Sequence, residues 1–265
     1  MQQIITPAKV AGTVRMPSSK SQTIRALLIA TAAEGTSTLE HPLRSRDTEA
    51  CLGLCRALGA QIAEEGERWT VTGIGSPPAI PEGPLLIDTG NSGTTLYLGA
   101  GIAASLGIPV VLTGDEQIRR RPVANLTGAL AALGADISFD IPPAIPAGSR
   151  EAEGCPPVAI TGPLLGGEVT IACPTSQYLS ALLLAAVGSQ RECIINVSLL
   201  NEAPYAEMTI EWLEKQQIDF RREGMERFIF PGKQRFRAFS CSVPGDYSSA
   251  SFFLCAAAVT GSTLS

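Results

Sequence analysis

Between Met16 and Gly35 the chain reads MPSSKSQTIRALLIATAAEG. Ser18, Ser19, Lys20, Ser21, Gln22, Thr23 and Arg25 crowd ahead of Ala26 to Ala33, a run without charge. Hydroxyls beside two cations at the head of an apolar helix suit the holding of an anion. A helix N-terminus offers unpaired N–H groups and about half a positive charge. Serine there also serves as an ordinary N-cap, so the hydroxyls alone leave two explanations open. Lys20 and Arg25 add charge that a cap does not need. Further on, GNSGTT from Gly90 and PTSQ from Pro174 again set small polar residues before an apolar run. In IRRRPVANL, Arg119, Arg120 and Arg121 precede Pro122 at an expected helix start. Cations there oppose the helix dipole, which favours binding over helix stability, with a solvated charge run as the ordinary alternative.

These stretches recur because the chain repeats itself. GNSGTTLYLGAGIAASLGIPVVLTG, PTSQYLSALLLAAVGSQRECIINV and GDYSSASFFLCAAAVTGSTLS follow the plan of the first stretch: a polar turn, then an apolar helix. The strands STLEHP, VVLTG and IINVS follow the first three helices. Then come amphipathic helices with start signals at Asp47, Pro122 and Pro204, and extended segments ending WTVTG, VAITG and FIFPG. The order β-α-β-α-β-β occurs three times, and a fourth copy begins near the C-terminus. The first helix of each unit is apolar on every side and is expected to be buried on every side. Three such helices inside, with sheets outside, would let their polar N-termini point to one end as an anion site.

The 265 residues are 45% hydrophobic, enough for a sizeable core, and the net charge is -5. That charge argues against a nucleic-acid footprint but leaves room for local positive potential. Seven cysteines without a C-x-x-C pair point to a reducing, cytoplasmic setting. Cys51 and Cys55 lie one helical turn apart and read as a packed face. The single histidine, His41, reads as a loop residue, leaving little material for a zinc site or a Ser-His-Asp triad. MQQIITPAKVAGTV lacks the apolar core of a signal peptide. The uncharged run Thr89 to Gly114 is interrupted by GNSG and Pro109, so it reads as loop, buried helix, turn and strand and not as a membrane span.

In order along the whole chain, PSSKSQTIRALLIA, DTGNSGTTL, LTGDEQIRRRPVANL, PTSQYLSALLL, APYAEMT and PGDYSSASFFLCAAA resemble the enolpyruvyl transferase family. The resemblance implies an inside-out α/β barrel of pseudo-threefold βαβαββ units. It also implies carboxyvinyl transfer from phosphoenolpyruvate to the 5-hydroxyl of shikimate 3-phosphate, in the shikimate pathway to aromatic amino acids. The reaction would be addition–elimination through a tetrahedral intermediate, with no metal or organic cofactor. Lys20, Ser21, Arg25, Thr175, Ser176, Gln177 and Tyr205 would bind shikimate 3-phosphate. Lys20, Asn91, Gly93, Arg121 and Gln177 would bind phosphoenolpyruvate, with Lys20 between the substrates as the catalytic residue. Glu202 stands where the family often has a phosphate-contacting serine, Thr175 where serine is common, and Tyr97 where many members carry arginine.

Members of the family have two domains of three units each, with the proton-moving aspartate and glutamate in the second. The expected division is therefore 1–19 as a strand and hinge belonging to the other domain, 20–242 as the three-unit domain, and 243–265 as the start of a truncated second domain. The last segment would expose an apolar face suited to self-association. Two other functions remain: a non-catalytic anion-binding half that needs a complementary chain, and the sister reaction on UDP-N-acetylglucosamine. The latter accords poorly with Ser21 after the lysine and with a TGDEQIRRRP loop that has no cysteine.

Overall fold

The computed structural model describes residues 8–75, 83–141 and 153–265. The first unit holds α1 (Lys20–Ala32), β1 (Thr36–Glu40), α2 (Arg46–Ala57), β2 (Gln61–Glu65) and β3 (Arg68–Thr72). The second holds β4 (Leu85–Asp88), α3 (Gly93–Leu106), β5 (Val110–Thr113), a 3-10 turn (Ile118–Arg120), α4 (Ala124–Ala132), β6 (Asp136–Ser138) and β7 (Val158–Thr161). The third holds β8 (Gly167–Cys173), α5 (Ser176–Ala186), β9 (Cys193–Leu200), α6 (Ala203–Lys215), β10 (Arg221–Glu223) and β11 (Arg227–Phe230). The chain ends with β12 (Ser240–Ser242) and α7 (Tyr247–Thr260).

The strands form three four-stranded sheets of one plan, β12-β1-β3-β2, β4-β5-β7-β6 and β8-β9-β11-β10. In each sheet the first two strands are parallel and the rest antiparallel. In the second and third units a buried helix makes the parallel crossover, α3 between β4 and β5, α5 between β8 and β9. In the first unit the leading strand is β12, which pairs Thr38 with Ser240 from the far end of the chain. The three-unit body is thus closed by its last strand.

The helices α1, α3 and α5 lie inside, buried along nearly their whole length, as their uniform apolar composition predicts. Small residues bring them close. A Cβ on Gly101 of α3 would come 2.3 Å from the Ala181 carbonyl oxygen of α5, so only glycine fits there. Thr23 and Thr31 settle their buried hydroxyls by donating to carbonyls one turn back. The second helix of each unit leans on the next unit: α2 on β4 and α3, α4 on β8 and α5, α6 on α1. Trp212 of α6 also meets Phe239, just before β12, with ring centroids 5.1 Å apart. This cyclic arrangement gives the body its threefold character.

Helix starts differ in detail from the sequence expectation. The cap of α2 is Ser45, in a reciprocal capping box with Thr48, and Asp47 sits in the first turn. α4 begins at Ala124, not at Pro122. The arginine run therefore lies in and just after a 3-10 turn, apart from the start of α4, and does not confront the dipole of that helix.

The two chain ends run together. Gly12 bridges Leu264, Ser18 bridges Gly245, and the Asp246 N–H donates to the Pro17 carbonyl. Beside this pairing stands α7, with no buried residue. Residues 1–7 of the expected N-terminal segment lie outside the described residues.

Candidate active site

The N-termini of α1, α3 and α5 open onto one depression of about 200 Å³, lined by Lys20, Ser21, Arg25, Thr94, Ser176, Gln177, Glu202 and Tyr205. Each helix is capped by the residue before it. Ser19 accepts from the Gln22 N–H, Ser92 from the Thr95 N–H and Thr175 from the Gln177 N–H. Capping thus falls to one hydroxyl per helix, which leaves Lys20, Ser21, Thr94 and Ser176 to face the depression. Thr175 is a cap and is not part of the lining.

Lys20 reaches Asp47 of α2, with Nζ 3.2 Å from Oδ2 and both side chains partly exposed. Arg25 is almost wholly buried. Its Nε donates to Thr209 Oγ1 at 2.7 Å, Nη1 to the Ser21 carbonyl, and Nη2 to Ser180 Oγ and the Tyr205 carbonyl. Four of its five N–H groups are therefore committed, three of them to holding α5 and α6 against α1 and one within α1. Burial pushes its pKa down to about 10, partly offset by Tyr205, so it stays cationic at neutral pH. It contributes charge from beneath the floor and one N–H at most.

Glu202 stands at the N-cap position of α6 in the left-handed conformation, φ 58°, makes no side-chain cap bond, and accepts from Ser176 Oγ at 3.3 Å. Its carboxylate lies in the wall, not turned away from it. Gln177 Nε2 donates to Thr175 Oγ1, and Gln177 Oε1 is buried with no partner among the described residues. The Tyr205 hydroxyl is 3.0 Å from Ser248 Oγ, which brings the polar tip of α7 to the rim.

Asn91, Gly93 and Arg121 flank the lining residue Thr94 but are not in the wall themselves. Asn91 donates to Gln117 Oε1 at 3.1 Å. A Cβ on Gly93 would lie 2.6 Å from Arg121 Nη1. The open face of this glycine, to which the resemblance assigns ligand binding, therefore accommodates the chain's own guanidinium. Of the other two arginines, Arg119 donates to the Gly114 carbonyl and Arg120 pairs with Glu116 at 2.6 Å. Tyr97 is buried and donates to the Pro122 carbonyl.

Four further residues meet the site: Asp47, Thr94, Ser180 and Thr209. Thr94 directly follows Gly93 and could have been found from that motif. The others meet the site only through folding. His41 lies away from it, at the end of β1, with Nδ1 3.1 Å from Glu67 Oε2. The cysteines are free, and Cys51 and Cys55 pack in the core.

A larger hollow of about 650 Å³ lies at the opposite pole, beside Ala32, Leu106 and Val187. There α1, α3 and α5 end, so their dipoles present partial negative charge. The smaller depression is the pole whose backbone favours anions.

The family model for EPSP synthase (3-phosphoshikimate 1-carboxyvinyltransferase) matches residues 4–265. The chain belongs to the EPSP synthase family. A 3-phosphoshikimate 1-carboxyvinyltransferase of Acetivibrio thermocellus is 41% identical over 97% of this chain and 58% of the relative. One from Methanococcoides burtonii is 37% identical over 95% of this chain and 57% of the relative. A solved EPSP synthase structure from Acinetobacter baumannii superposes with a TM-score of 0.75 at 27% identity, covering 93% of this chain and 52% of that one. The chain thus spans a little over half the length of the EPSP synthases it matches. The inside-out α/β architecture of three repeated units is the fold of that family. No helix among the described residues is long and apolar enough to cross a membrane.

Proposed function

We propose that the depression is the shikimate 3-phosphate face of a carboxyvinyl transfer site, acting in the cytoplasm on the route to aromatic amino acids. The observation that carries this reading is the convergence of three buried helix N-termini on one place that also receives Lys20. Ser21, Ser176 and Gln177 offer hydrogen bonds to the phosphate, and Arg25 supplies buried positive charge. Tyr205, at the rim, faces the shikimate side, and Thr175 acts through its cap and through Gln177. Phosphoenolpyruvate lies toward Gly93 and Arg121, with Asn91 shaping the turn and Lys20 between the two ligands. Arg121 forms no ion pair among the described residues, so its charge is available to a carboxylate or phosphate.

In the transfer, the 5-hydroxyl oxygen gives up its proton as it bonds to C2 of phosphoenolpyruvate, C3 gains a proton, and the phosphate released in the next step carries the hydroxyl's proton away. The C2–O bond to phosphate then breaks and C3 loses a proton. Lys20 holds charge on the departing phosphate, and most of the rate comes from positioning and charge stabilisation. Lys20 also exchanges Asp47 for substrate as the site fills. The domain division belongs to this reading: 20–242 is the substrate-binding body, while 8–19 and 243–265, which pair with each other, belong to a second domain.

A second reading is favoured by the two carboxylates, Asp47 beside Lys20 and Glu202 on Ser176. Under it the chain is an anion-binding half that needs a complementary chain to react. A phosphate-release assay with both substrates decides whether this chain turns over alone or only with a second half. We expect no turnover by these 265 residues alone and turnover once the C-terminal portion of a relative is added. Turnover by the chain alone that disappears in Lys20→Ala would overturn the need for a second half. The UDP-N-acetylglucosamine reaction has no such support, since the loop from Gly114 to Pro122 carries no cysteine.

A further inference from the structure

Two tyrosines from different buried helices meet at one carbonyl oxygen. Tyr178, near the start of α5, donates to the Pro122 oxygen at 2.7 Å, and Tyr97 of α3 donates to the same atom at 3.2 Å. Their rings sit edge to face, 5.2 Å apart at 81°, a favourable aromatic geometry. Both side chains are almost wholly buried. A carbonyl has two lone pairs and can accept both protons. Burial raises the pKa of both phenols, so both remain neutral donors at physiological pH.

The peptide they hold follows directly on Arg121. That residue's guanidinium lies over Gly93, and its charge acts on the Tyr97 phenol. On the other side, the Arg121 N–H donates to the Ile118 carbonyl and the Val123 N–H to the Gly154 carbonyl. The backbone of Arg121 is therefore fixed from both sides, while its side chain makes no ion pair among the described residues and lies in direct hydrogen-bonding reach of the Tyr97 phenol. The two hydroxyls hold the oxygen edge of the Pro122–Val123 peptide while the Gly154 carbonyl holds its N–H edge, so removing the hydroxyls frees one edge and loosens the turn that carries the guanidinium to the head of α3.

We propose that Tyr97 and Tyr178 are positioning residues that clamp the Pro122 carbonyl and thereby hold the Arg121 guanidinium over the N-terminus of α3. That this guanidinium serves phosphoenolpyruvate rests on the function proposed above; the clamp itself does not. The device couples the second and third units to one cation, so the cation takes up its place only when α3 and α5 are correctly packed.

The test is arginine modification by phenylglyoxal, mapped by mass spectrometry on the full chain, with Arg119 and Arg120 as internal references. Tyr97→Phe and Tyr178→Phe each remove one oxygen and keep the packed ring. The double variant should raise the modification rate of Arg121 about tenfold, and each single variant about threefold, with the reference arginines and Tm little changed. An unchanged Arg121 rate in Tyr178→Phe, which keeps the direct Tyr97–Arg121 contact, overturns the clamp, and so does a rise shared equally by Arg119 and Arg120. A separate titration with phosphoenolpyruvate addresses what Arg121 is for. The double variant should bind about tenfold more weakly when Arg121 is present and show no further loss in an Arg121→Ala background. If Arg121→Ala leaves phosphoenolpyruvate binding intact, the ligand assignment of Arg121 is wrong, while its modification rate still decides the clamp.

Discussion

At the scale of single residues, similar side chains near one helix start have three different duties. Ser19 caps, Lys20 faces the depression, and Arg25 fastens α5 and α6 to α1. Ser19→Ala should cost about 1 kcal/mol of stability. Lys20→Ala gives up a partly exposed ion pair, commonly worth about 0–1 kcal/mol, so its Tm should stay near wild type while ligand binding falls. Thermal unfolding and ligand titration of both variants check this; a large Tm loss with normal binding in Lys20→Ala would make Lys20 a structural residue. Glu202 lines the depression and accepts from the Ser176 hydroxyl, so under the proposed function it opposes the phosphate. Glu202→Ser should therefore tighten shikimate 3-phosphate binding about five- to tenfold, as read by calorimetry.

At the scale of elements, the helix interface of α3 and α5 depends on Gly101, whose missing side chain lets the Ala181 carbonyl approach. Gly101→Val should destabilise the chain by at least about 1–3 kcal/mol through overpacking, measured by denaturant unfolding. This level of structure was largely legible in the sequence. The three-unit period, the buried first helices and the amphipathic second helices follow from periodicity and turn residues, which are local signals. The leading strand of the first unit was not legible, because Ser-Cys-Ser at 240–242 carries no strand pattern and acquires its place by pairing with β1. The site was legible in part. Lys20, Ser21, Ser176, Gln177 and Tyr205 come together as the motifs suggested. Nothing local shows that Arg25 is spent on Ser180 and Thr209, or that Asp47 meets Lys20. Nor does sequence distance reveal that Tyr97 and Tyr178 share a carbonyl. Such pairings depend on which helix faces which.

At the scale of the whole molecule, the body closes on itself through β12, but α7 remains outside it. Phe252 is 78% exposed, Leu254 65% and Val259 84%, and an apolar groove of about 350 Å³ runs between α7 and the segment holding Val14 and Met16. Phe252 and Val259 lie on one side of α7 and Leu254, which lines the groove, on the other, so the helix exposes apolar surface all round, and exposed apolar surface of this extent marks a contact surface. The isolated chain should therefore self-associate, and a Phe252→Ser, Leu254→Ser, Val259→Ser variant should shift toward monomer in sedimentation with the Tm of the core kept. The central claim is that the pole shared by the N-termini of α1, α3 and α5 is a phosphate-recognising face. The most direct measurement is calorimetric titration of shikimate 3-phosphate into this chain, Lys20→Ala and Ser176→Ala. The account predicts weak, saturable binding by the wild type that is lost or reduced at least about tenfold in both variants while their folds persist. Binding of undiminished strength in both variants would place the ligand elsewhere and contradict it.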